Sequence, residues 1–546
     1  MRITVLPNGA SIEAAPESLL LPALRQAGLG IAADCGGAGS CGSCRVRVIS
    51  GRAAPPQPEE LAILSAEELA AGWRLACRLS VTDDLCVSLP VAAAADERKT
   101  RLLPLPADFQ AESSGEQQYG LAFDIGTTTV AALLWDLREA ALLGSEARTN
   151  PQAAYGADVI TRINFSERQP DNLRLLHQAI IDCLNEMSAE LCARQHLSRE
   201  LLTRATVVGN TTMSHLFLGL SPSTLARIPF APLFSGAVEM SAADSGLQIA
   251  AGGRVHLLPN IAGHVGSDLT GGILASRLLD MSGVHLLLDL GTNGEIILNA
   301  NGRVWACSTA AGPAFEGACI YHGMRAAAGA IEKASIDEQG ELHIAVIGGA
   351  PPRGICGSGL IDAAAALLEA GVIDASGRLL TADKAGALPP SLARRLLRDH
   401  GVDAFILAGD EGGRPVMLDQ KDIRQIQLAK AAIAAGIRLL LHQAGMDIRH
   451  IDSLLLAGAF GSYIDVASAQ RIGLLPPLSK GAVVPLGNAA GVGASMALLS
   501  AAERERIYRR LPEIAHVELA ELPEFQRVYV GEMNFPDKLD RGQAKP

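Results

Sequence analysis

Three cysteines and four glycines crowd the segment 34–44, and a fourth cysteine follows further along the chain. The spacing Cys35-x5-Cys41-x2-Cys44, with Cys77 beyond it, is one residue longer than the plant-type ferredoxin pattern. Thiolates hold iron–sulfur clusters, and a [2Fe–2S] centre takes four of them. Glycines in such a loop allow positive φ values, so that the backbone wraps closely and its N–H groups face the sulfurs. The pattern predicts a [2Fe–2S] centre held by Cys35, Cys41, Cys44 and Cys77.

Two other uses of these cysteines are open, a structural zinc site and a disulfide framework. Structural zinc usually takes two well-separated C-x2-C pairs, and only Cys41 and Cys44 form such a pair here. Disulfide frameworks are typical of small secreted chains, which this one does not resemble. Cys86 competes for the place of the fourth ligand. Because Leu85-Cys86-Val87-Ser88-Leu89 alternates like a strand, the sequence favours Cys77.

Two later segments share one layout, in which a buried strand, a Gly/Thr turn and an apolar strand follow one another. The first contains Asp124-Ile125-Gly126-Thr127-Thr128-Thr129, and the second contains Asp289-Leu290-Gly291-Thr292-Asn293. Such a turn offers consecutive N–H donors and threonine hydroxyls to a phosphate, and its aspartate can hold Mg²⁺ through water. The repeated turn predicts a duplicated fold with a phosphate-bearing ligand between its halves.

A third segment, 451–463, is a buried strand that ends in the small-residue turn Gly458-Ala459-Phe460-Gly461. Small residues leave room for an adenosine to lie against the backbone. The chain lacks a G-x-x-x-x-G-K-S/T sequence and is therefore not a P-loop enzyme. Gly491-Val492-Gly493 lacks the third glycine and the acidic residue of a dinucleotide site. Together the three segments resemble the superfamily of acetate and sugar kinases, Hsp70 and actin, known as ASKHA ATPases.

The resemblance implies which residues bind ATP and Mg²⁺. The residues that match the catalytic aspartates are Asp124 and Asp289. Those that match nucleotide contacts are Gly126, Thr127, Thr128, Thr129, Asn210, Gly291, Thr292, Asn293, Gly458 and Gly461. Segments 206–213 and 487–494 match the two connecting segments of that fold. Segments 311–318 and 354–360 are either further nucleotide contacts or ordinary helix-entry loops.

The elements that position these residues divide the chain into four parts. Residues 1–92, with a strand pair, a helix over 18–27, the cysteine loop, a strand and a helix over 59–69, resemble a β-grasp [2Fe–2S] ferredoxin. Residues 93–117 have linker composition, which suits either a flexible joint or an ordered strap on the surface. We expect residues 118–283 and 284–546 to be the two lobes of a duplicated, RNase H-like ATPase. The predicted fold class is therefore multidomain, α+β followed by α/β.

Composition excludes several classes of function. The net charge of −12, without a face rich in Lys and Arg, argues against a nucleic-acid partner. No run of 18 uncharged apolar residues is present, so we expect no membrane span. Ten cysteines without a recognisable signal peptide indicate a reducing, cytoplasmic setting. Glu59-Glu60 and Glu67-Glu68 are expected on solvated helix faces.

A ferredoxin module followed by an actin-like ATPase resembles the reductive activators of corrinoid proteins, across nearly the whole length of the chain. The resemblance implies an ATP-hydrolysing enzyme that passes one electron from its [2Fe–2S] cluster to an inactive Co(II) corrinoid, restoring Co(I). It implies a corrinoid protein of a methyltransferase system as partner, a reductase or ferredoxin as upstream donor, and a homodimer. Two alternatives stay open, an activator of another low-potential enzyme and a kinase or chaperone-like ATPase whose cluster senses redox state.

Overall fold

The computed structural model describes the chain of 546 residues in two compact units, Met1–Ala95 with Ser113–Leu257 and Asp96–Glu112 with Leu258–Pro546. The residues outside the description are 7–8, 28, 30, 32–36, 38, 40–41, 43, 90–103, 113–117, 292, 318, 400, 410–414, 462, 479–480 and 538–546. Within the described part, none of the helices combines the length and the apolar character needed to cross a bilayer.

The first unit begins with a small mixed sheet and three short helices. Its elements are β1 (Arg2–Leu6), β2 (Ala10–Glu13), α1 (Leu20–Gln26), β3 (Arg45–Ser50), α2 (Pro58–Ile63), α3 (Ala66–Ala70), β4 (Trp73–Leu75) and β5 (Leu85–Ser88). The strand order is β2-β1-β5-β3-β4, with β1 parallel to β5 and the other pairs antiparallel. Alternate residues such as Ile3, Val5 and Val87 are fully buried and share one core with Leu20 and Leu24 of α1. This arrangement places the cysteine segment between α1 and β3.

One predicted helix in this domain is wrong in its extent. The structure breaks the helix expected over 59–69 into α2 and α3, because Leu64 and Ser65 are extended and Ser65 caps a new helix. A second expectation is also wrong. Glu60 is fully buried rather than solvated, and its carboxylate binds the buried guanidinium of Arg74 at 2.7 Å.

The rest of the first unit is built on a six-stranded sheet. Its elements are β6 (Tyr119–Ile125), β7 (Thr129–Asp136), β8 (Ala141–Thr149), α4 (Val159–Arg168), α5 (Asn172–Arg194), β9 (Leu202–Gly209), α6 (Thr211–Phe217), β10 (Val238–Ser241), α7 (Ala242–Ser245) and β11 (Arg254–Leu257). The strand order is β10-β11-β9-β6-β7-β8. The central strands β6 and β7 form the first predicted hairpin. Phe123 and Val207 lie in one core with Ile180 and Leu184 of α5.

The second unit contains a second six-stranded sheet and two three-stranded sheets. Its strands are β12 (Val284–Leu290), β13 (Gly294–Ala300), β14 (Arg303–Thr309), β15 (Ala330–Ile336), β16 (Leu342–Val346), β17 (Gly354–Ile355), β18 (Leu396–Asp399), β19 (Val402–Ala408), β20 (Val416–Asp419), β21 (Ser453–Ala457), β22 (Ala482–Gly487) and β23 (Ile514–His516). Its helices are α8 (Ser267–Ser276), α9 (Gly357–Glu369), α10 (Pro390–Ala393), α11 (Gln420–Gln443), α12 (Gly458–Gly461), α13 (Val466–Arg471), α14 (Ala489–Leu499), α15 (Ala501–Arg510) and α16 (Phe525–Gly531). The large sheet has the order β22-β21-β12-β13-β14-β23, and the small ones are β16-β15-β17 and β18-β19-β20.

The two large sheets repeat one topology, which confirms the predicted duplication. In each, three consecutive strands form antiparallel pairs, β6-β7-β8 in one and β12-β13-β14 in the other. In each, the first of these three pairs in parallel with one further strand, β9 or β21, and that strand pairs in parallel with another, β11 or β22. The Gly/Thr turn therefore occupies the same place in both sheets.

The described part of the predicted linker, 104–112, is attached to the second unit. The backbone N–H of Glu112 donates to the carbonyl of Leu499 at 3.0 Å. The Glu112 carboxylate accepts from the hydroxyl of Ser500 and the backbone N–H of Ala502 at 3.0 and 2.8 Å. These residues form an ordered strap on the helices α14 and α15.

Candidate functional site

The first Gly/Thr turn is a tight loop between β6 and β7. Ile125 pairs with Val130 across the hairpin, and the N–H of Gly126 donates to the carbonyl of Thr129 at 3.0 Å. A Cβ built on Gly126 would lie 2.7 Å from that carbonyl oxygen, so a side chain does not fit there. The two arms of the loop therefore approach each other closely only because residue 126 is glycine.

Buried polar side chains hold this loop through its carbonyl groups. Asn150 donates from Nδ2 to the carbonyl of Gly126 at 2.8 Å, and its own N–H donates to the carbonyl of Thr128 at 2.9 Å. Arg162, which is fully buried, donates from Nη2 to the carbonyl of Thr127 at 2.5 Å. The loop conformation is thus fixed from the protein side. The sequence prediction missed both Asn150 and Arg162.

Asn210 links the loop to the first connecting segment. Its Nδ2 donates to the hydroxyl of Thr127 at 2.8 Å, and its Oδ1 accepts from the N–H of Met213 at 3.0 Å. The second bond caps the N-terminus of α6. Because β9 runs parallel to β6, with Gly209 opposite Ile125, Asn210 follows directly beside the turn. Predicted site residues Asp124, Gly126, Thr127, Thr128, Thr129 and Asn210 lie together at this end of the sheet.

The second turn connects β12 and β13 and places two carboxyl groups opposite each other. Leu290 pairs with Gly294, and the next pair back from the turn is Asp289 with Glu295. Cross-strand partners lie about 5 Å apart between Cβ atoms and project to the same face of the sheet. Asn293 hydrogen-bonds the Glu295 carboxyl, while Thr292 lies outside the described residues. In the first hairpin Asp124 faces Ala131 instead, so the acidic pair belongs to the second hairpin alone.

The environment of this pair favours its protonated forms. Burial raises the pKa of Asp289 from 3.8 to about 6. Burial also raises the pKa of Glu295 well above its ordinary range, and the nearby carboxylates of Asp268 and Asp289 raise it further. Like charges at this distance in a poorly solvated site repel, so Glu295 retains its proton in preference to Asp289. Within the described residues, no group of three His, Cys, Asp or Glu side chains is arranged to ligate a metal directly.

The third predicted segment lies against the second turn. Asp289 is the parallel neighbour of Ala457, the last residue of β21. Gly458 follows with φ of 82°, and a Cβ built there would lie 2.5 Å from Oδ1 of Asp289. Only glycine permits this approach of the backbone to the carboxyl group. The structure therefore brings together Asp289 and Gly458, with Gly291, Asn293 and Gly461 on the same two loops.

Segments 311–318 and 354–360 meet beside this loop. The rings of Phe315 and Phe460 stack with centroids 5.5 Å apart. A Cβ on Gly357 would lie 2.0 Å from the carbonyl oxygen of Phe315 and 2.5 Å from the ring of Phe460. The first turn of α9 thus packs onto the segment that contains Gly458.

The described part of the cysteine site brings two of the four predicted ligands together. Cys44 and Cys77 are 1 % and 2 % exposed, and the carbonyl of Cys44 accepts from the N–H of Ala76 at 2.9 Å. A Cβ on Gly37, which has φ of 90°, would lie 4.0 Å from Cβ of Cys77. The loop backbone therefore lies beside Cys77. Cys35 and Cys41 lie outside the described residues.

The rival ligand Cys86 projects away from this pair. It lies on β5 between the buried residues Leu85 and Val87, which share a core with Cys44 and Cys77. Successive side chains of a strand point to opposite faces, so Cys86 faces away from that core. On the side of Cys77, the bidentate contact between Arg74 and Glu60 holds β4, the strand that ends two residues before Cys77.

Comparisons with known proteins match three successive parts of the chain. The chain matches the family models for a 2Fe-2S iron–sulfur cluster binding domain over 3–82, the RACo middle region over 119–281, and the C-terminal domain of RACo, the ASKHA domain, over 283–543. It is 38% identical over 426 residues to the corrinoid activation enzyme RamQ of Eubacterium limosum, covering 77% of this chain and 71% of RamQ.

Two further relatives extend the comparison. The chain is 24% identical over 449 residues to the [Co(II) methylated amine-specific corrinoid protein] reductase of Methanosarcina barkeri, covering 76% of this chain and 77% of the reductase. It also matches the solved structure of a reductive activator for corrinoid, iron–sulfur protein with a TM-score of 0.70 and 30% identity, over 98% of both chains. The predicted fold, a [2Fe–2S] ferredoxin-type domain followed by an ASKHA domain, is confirmed.

Proposed function

This chain belongs to the reductive activators of corrinoid proteins, and from that premise we propose that it uses ATP to deliver one electron to an inactive Co(II) corrinoid. The electron restores Co(I) on a partner protein of a methyltransferase system. The observation that carries this proposal is the presence, in one chain, of the buried Cys44–Cys77 site and of two sheets with the same phosphate-binding type of turn.

The residues of the first domain fit a [2Fe–2S] cluster. We propose Cys35, Cys41, Cys44 and Cys77 as its ligands, supported by the burial of Cys44 and Cys77 and by Gly37, whose backbone lies beside Cys77. Such a cluster, when bound, supplies one-electron redox chemistry. The buried pair of Glu60 and Arg74 positions the strand that precedes Cys77.

Each large sheet, taken by itself, carries residues that could contact a nucleotide. The turn Gly126–Thr129, held in place by Asn150, Arg162 and Asn210, would cradle phosphates with its N–H groups and hydroxyls. In the second unit, Gly291, Thr292 and Asn293 are the corresponding residues, and we propose them for phosphate contacts as well. Gly458 and Gly461 would leave space for the adenosine.

Asp124 and Asp289 would hold Mg²⁺ through water molecules. Only the ionised form of Asp289 can serve in this way. Because the neighbouring Glu295 stays protonated, it does not repel the negative charge of Asp289. Glu295 is thus a positioning residue that keeps its proton while Asp289 loses one.

Energy from ATP is needed because Co(I) corrinoids are strong reductants. A shortfall of about 200 mV for one electron corresponds to roughly 5 kcal/mol, since each 59 mV is a factor of ten. We propose that ATP acts on docking and release of the corrinoid partner rather than on the potential of the cluster. We also propose a reductase or ferredoxin as electron donor and a homodimer as the working state.

The test is a direct optical assay of the reaction. The full-length protein is reduced anaerobically and mixed with a Co(II) corrinoid protein, and the Co(I) absorption band is followed with ATP, with ADP and with a non-hydrolysable ATP analogue. We expect the Co(I) band with ATP only, and none with Cys77→Ala under any condition. Equal Co(I) formation in all three nucleotide conditions would refute the role of ATP.

A further inference from the structure

A cavity of about 910 Å³ lies within the second unit, and nothing in the proposed electron transfer uses it. Its walls come from the β15–β16 turn, the helices α9, α11 and α13, and the segment 532–537. Within the described residues, neither the second hairpin turn nor Gly458–Gly461 contributes to its lining. Its volume is typical of sites for small organic molecules.

One carboxyl group in this cavity has an unsatisfied oxygen. Asp362 of α9 lines the cavity and is 7 % exposed, and within the described structure its Oδ1 has no hydrogen-bond partner. Burial raises the pKa of Asp362 to about 6, although Ser468 and the backbone of Ala334 lower it. A buried carboxylate oxygen without a donor costs free energy unless a ligand supplies one.

The charges around the cavity favour a cation. Its lining contains six carboxylates and two guanidiniums. Both guanidiniums are already paired with lining carboxylates, Arg471 with Glu369 at 2.5 Å and Arg438 with Glu532. Of the other four, Asp337 is hydrogen-bonded to His343 at 2.7 Å, and Glu338, Asp362 and Asp537 have no arginine partner within the described lining. An anionic ligand would meet net repulsion here, whereas an ammonium group would find a buried acceptor.

Much of the remaining wall is apolar. The residues that contribute it include Ile336, Ala365, Ala366, Leu392, Ile437 and Leu475. Such a wall suits a hydrocarbon or aromatic body and fits small hydrated ions poorly. The chemistry of the cavity thus combines one buried acceptor with a wide apolar lining.

We propose that this cavity binds a small organic cation, an ammonium group on an apolar body, whose N–H donates to Oδ1 of Asp362. The ammonium group pairs with the carboxylate, and the apolar body packs between α9, α11 and the β15–β16 turn. This ligand site is additional to the nucleotide site and does not depend on ATP being the nucleotide.

Calorimetric titration of the full-length protein at pH 7.5 tests the proposal with two matched pairs of probes. The cations are tryptamine and 4-phenylbutylamine, and their neutral counterparts are tryptophol and 4-phenylbutanol. We expect each amine to bind at least about tenfold more tightly than its alcohol, as a hydrogen bond to a charged group implies. Asp362→Asn should abolish that preference. Asp403→Asn, on β19 and outside the lining, removes one carboxylate of the same unit and should preserve it.

A second variant keeps the test decisive if Asp362→Asn proves unstable. Ala366→Trp fills the cavity from the half-buried face of α9 and should eliminate amine binding while thermal unfolding stays cooperative. Binding should persist at saturating ATP, because the lining excludes the predicted nucleotide loops. Equal affinity for amines and alcohols, binding that survives both variants, displacement by ATP, or no heat with any probe up to 10 mM would each overturn the proposal.

Discussion

Replacing Asp289 with asparagine is expected to stabilise the second unit and at the same time to remove nucleotide-dependent activity. Asp289 is opposite Glu295 on the hairpin and against the backbone of Gly458. Folding raises the pKa of Asp289 from 3.8 to about 6, because burial penalises its charge. An acid whose pKa is raised by folding destabilises the folded state at every pH above its unfolded pKa.

The size of the effect follows from that pKa. A rise from 3.8 to about 6 corresponds to at most about 3 kcal/mol at neutral pH, since one pKa unit is worth 1.36 kcal/mol. The Asp289 side chain is half-buried, and solvent screening reduces the value. We therefore expect Asp289→Asn to raise the free energy of unfolding by about 1.5 to 2 kcal/mol at pH 8.

The pH dependence separates this explanation from a change in packing. The cost of ionising Asp289 grows as the pH rises from about 4 to about 6 and is constant above that. At pH 5 the gain from the asparagine variant should therefore be about half of the gain at pH 8. Urea unfolding of wild type and variant at both pH values, without Mg²⁺ or nucleotide, measures the two differences.

Asp124→Asn is the matched control in the first unit. It makes the same substitution at the corresponding position of the first hairpin, where the residue on the opposite strand is Ala131 and not a second acid. We expect it to lose nucleotide-dependent activity without a comparable gain in stability. A stability gain for Asp289→Asn that is the same at pH 5 and pH 8, or a loss of stability at pH 8, would refute the reasoning.

Three further predictions concern the other parts of the site. Cys77→Ala should remove most of the bound iron, whereas Cys86→Ala should retain it, because only Cys77 lies beside the cysteine loop; iron and sulfide per chain measure this. Asn210→Ala should weaken ATP binding severalfold and lower stability by about 1 kcal/mol, because Thr127 and the N-terminus of α6 both lose a bond; titration with a fluorescent ATP analogue measures the affinity. Glu60→Ala should destabilise the first domain by about 3 to 5 kcal/mol, because it leaves Arg74 buried without its partner; urea unfolding followed by cluster absorbance measures this.

Cys86→Ala is the control for the prediction at Cys77, and the other two predictions have checks of their own. Ser241→Ala removes the N-cap of α7 at a distance from the turn and should leave ATP affinity unchanged. Arg74 and the N–H groups of Gln57 and Leu75 hold the pKa of Glu60 below its ordinary value despite burial, so its contribution is present above pH 4.5 and disappears as the pH falls through the lowered pKa. Iron retained by Cys77→Ala, normal ATP affinity in Asn210→Ala, or unchanged stability in Glu60→Ala would contradict the corresponding prediction.

The sequence predicted the site residues best at tight turns, where the backbone conformation admits only one type of residue. Gly126 and Gly458 are recognisable because the close approach of the backbone to the carbonyl of Thr129 and to the carboxyl group of Asp289 excludes residues with a side chain. The duplication followed from the repetition of those turns. The strands around them were predictable as apolar runs, and the structure has them as β6, β12 and β21.

Residues that act through tertiary contacts were not predictable in this way. Arg162 reaches the turn from α4, and no pattern near position 162 indicates a buried guanidinium. Glu60 follows another glutamate, a pattern typical of a solvated helix face. Its burial depends on Arg74 of β4, which is distant in sequence and pairs with it only in the folded chain. Glu295 could have been noticed in the sequence, since an acidic residue at the start of the apolar run Ile296–Leu298 is unusual for a buried strand. The register that sets it opposite Asp289 became visible only with the hairpin.

The measurement that tests the central claim most directly is the number of ATP molecules hydrolysed for each Co(I) formed. Phosphate release and the Co(I) band are followed together, for wild type and for Asp289→Ala, with the same reduced protein and corrinoid partner. The account predicts a constant ratio in the wild type and the loss of both signals in the variant. Undiminished Co(I) formation by Asp289→Ala, with ATP hydrolysis abolished, would contradict it.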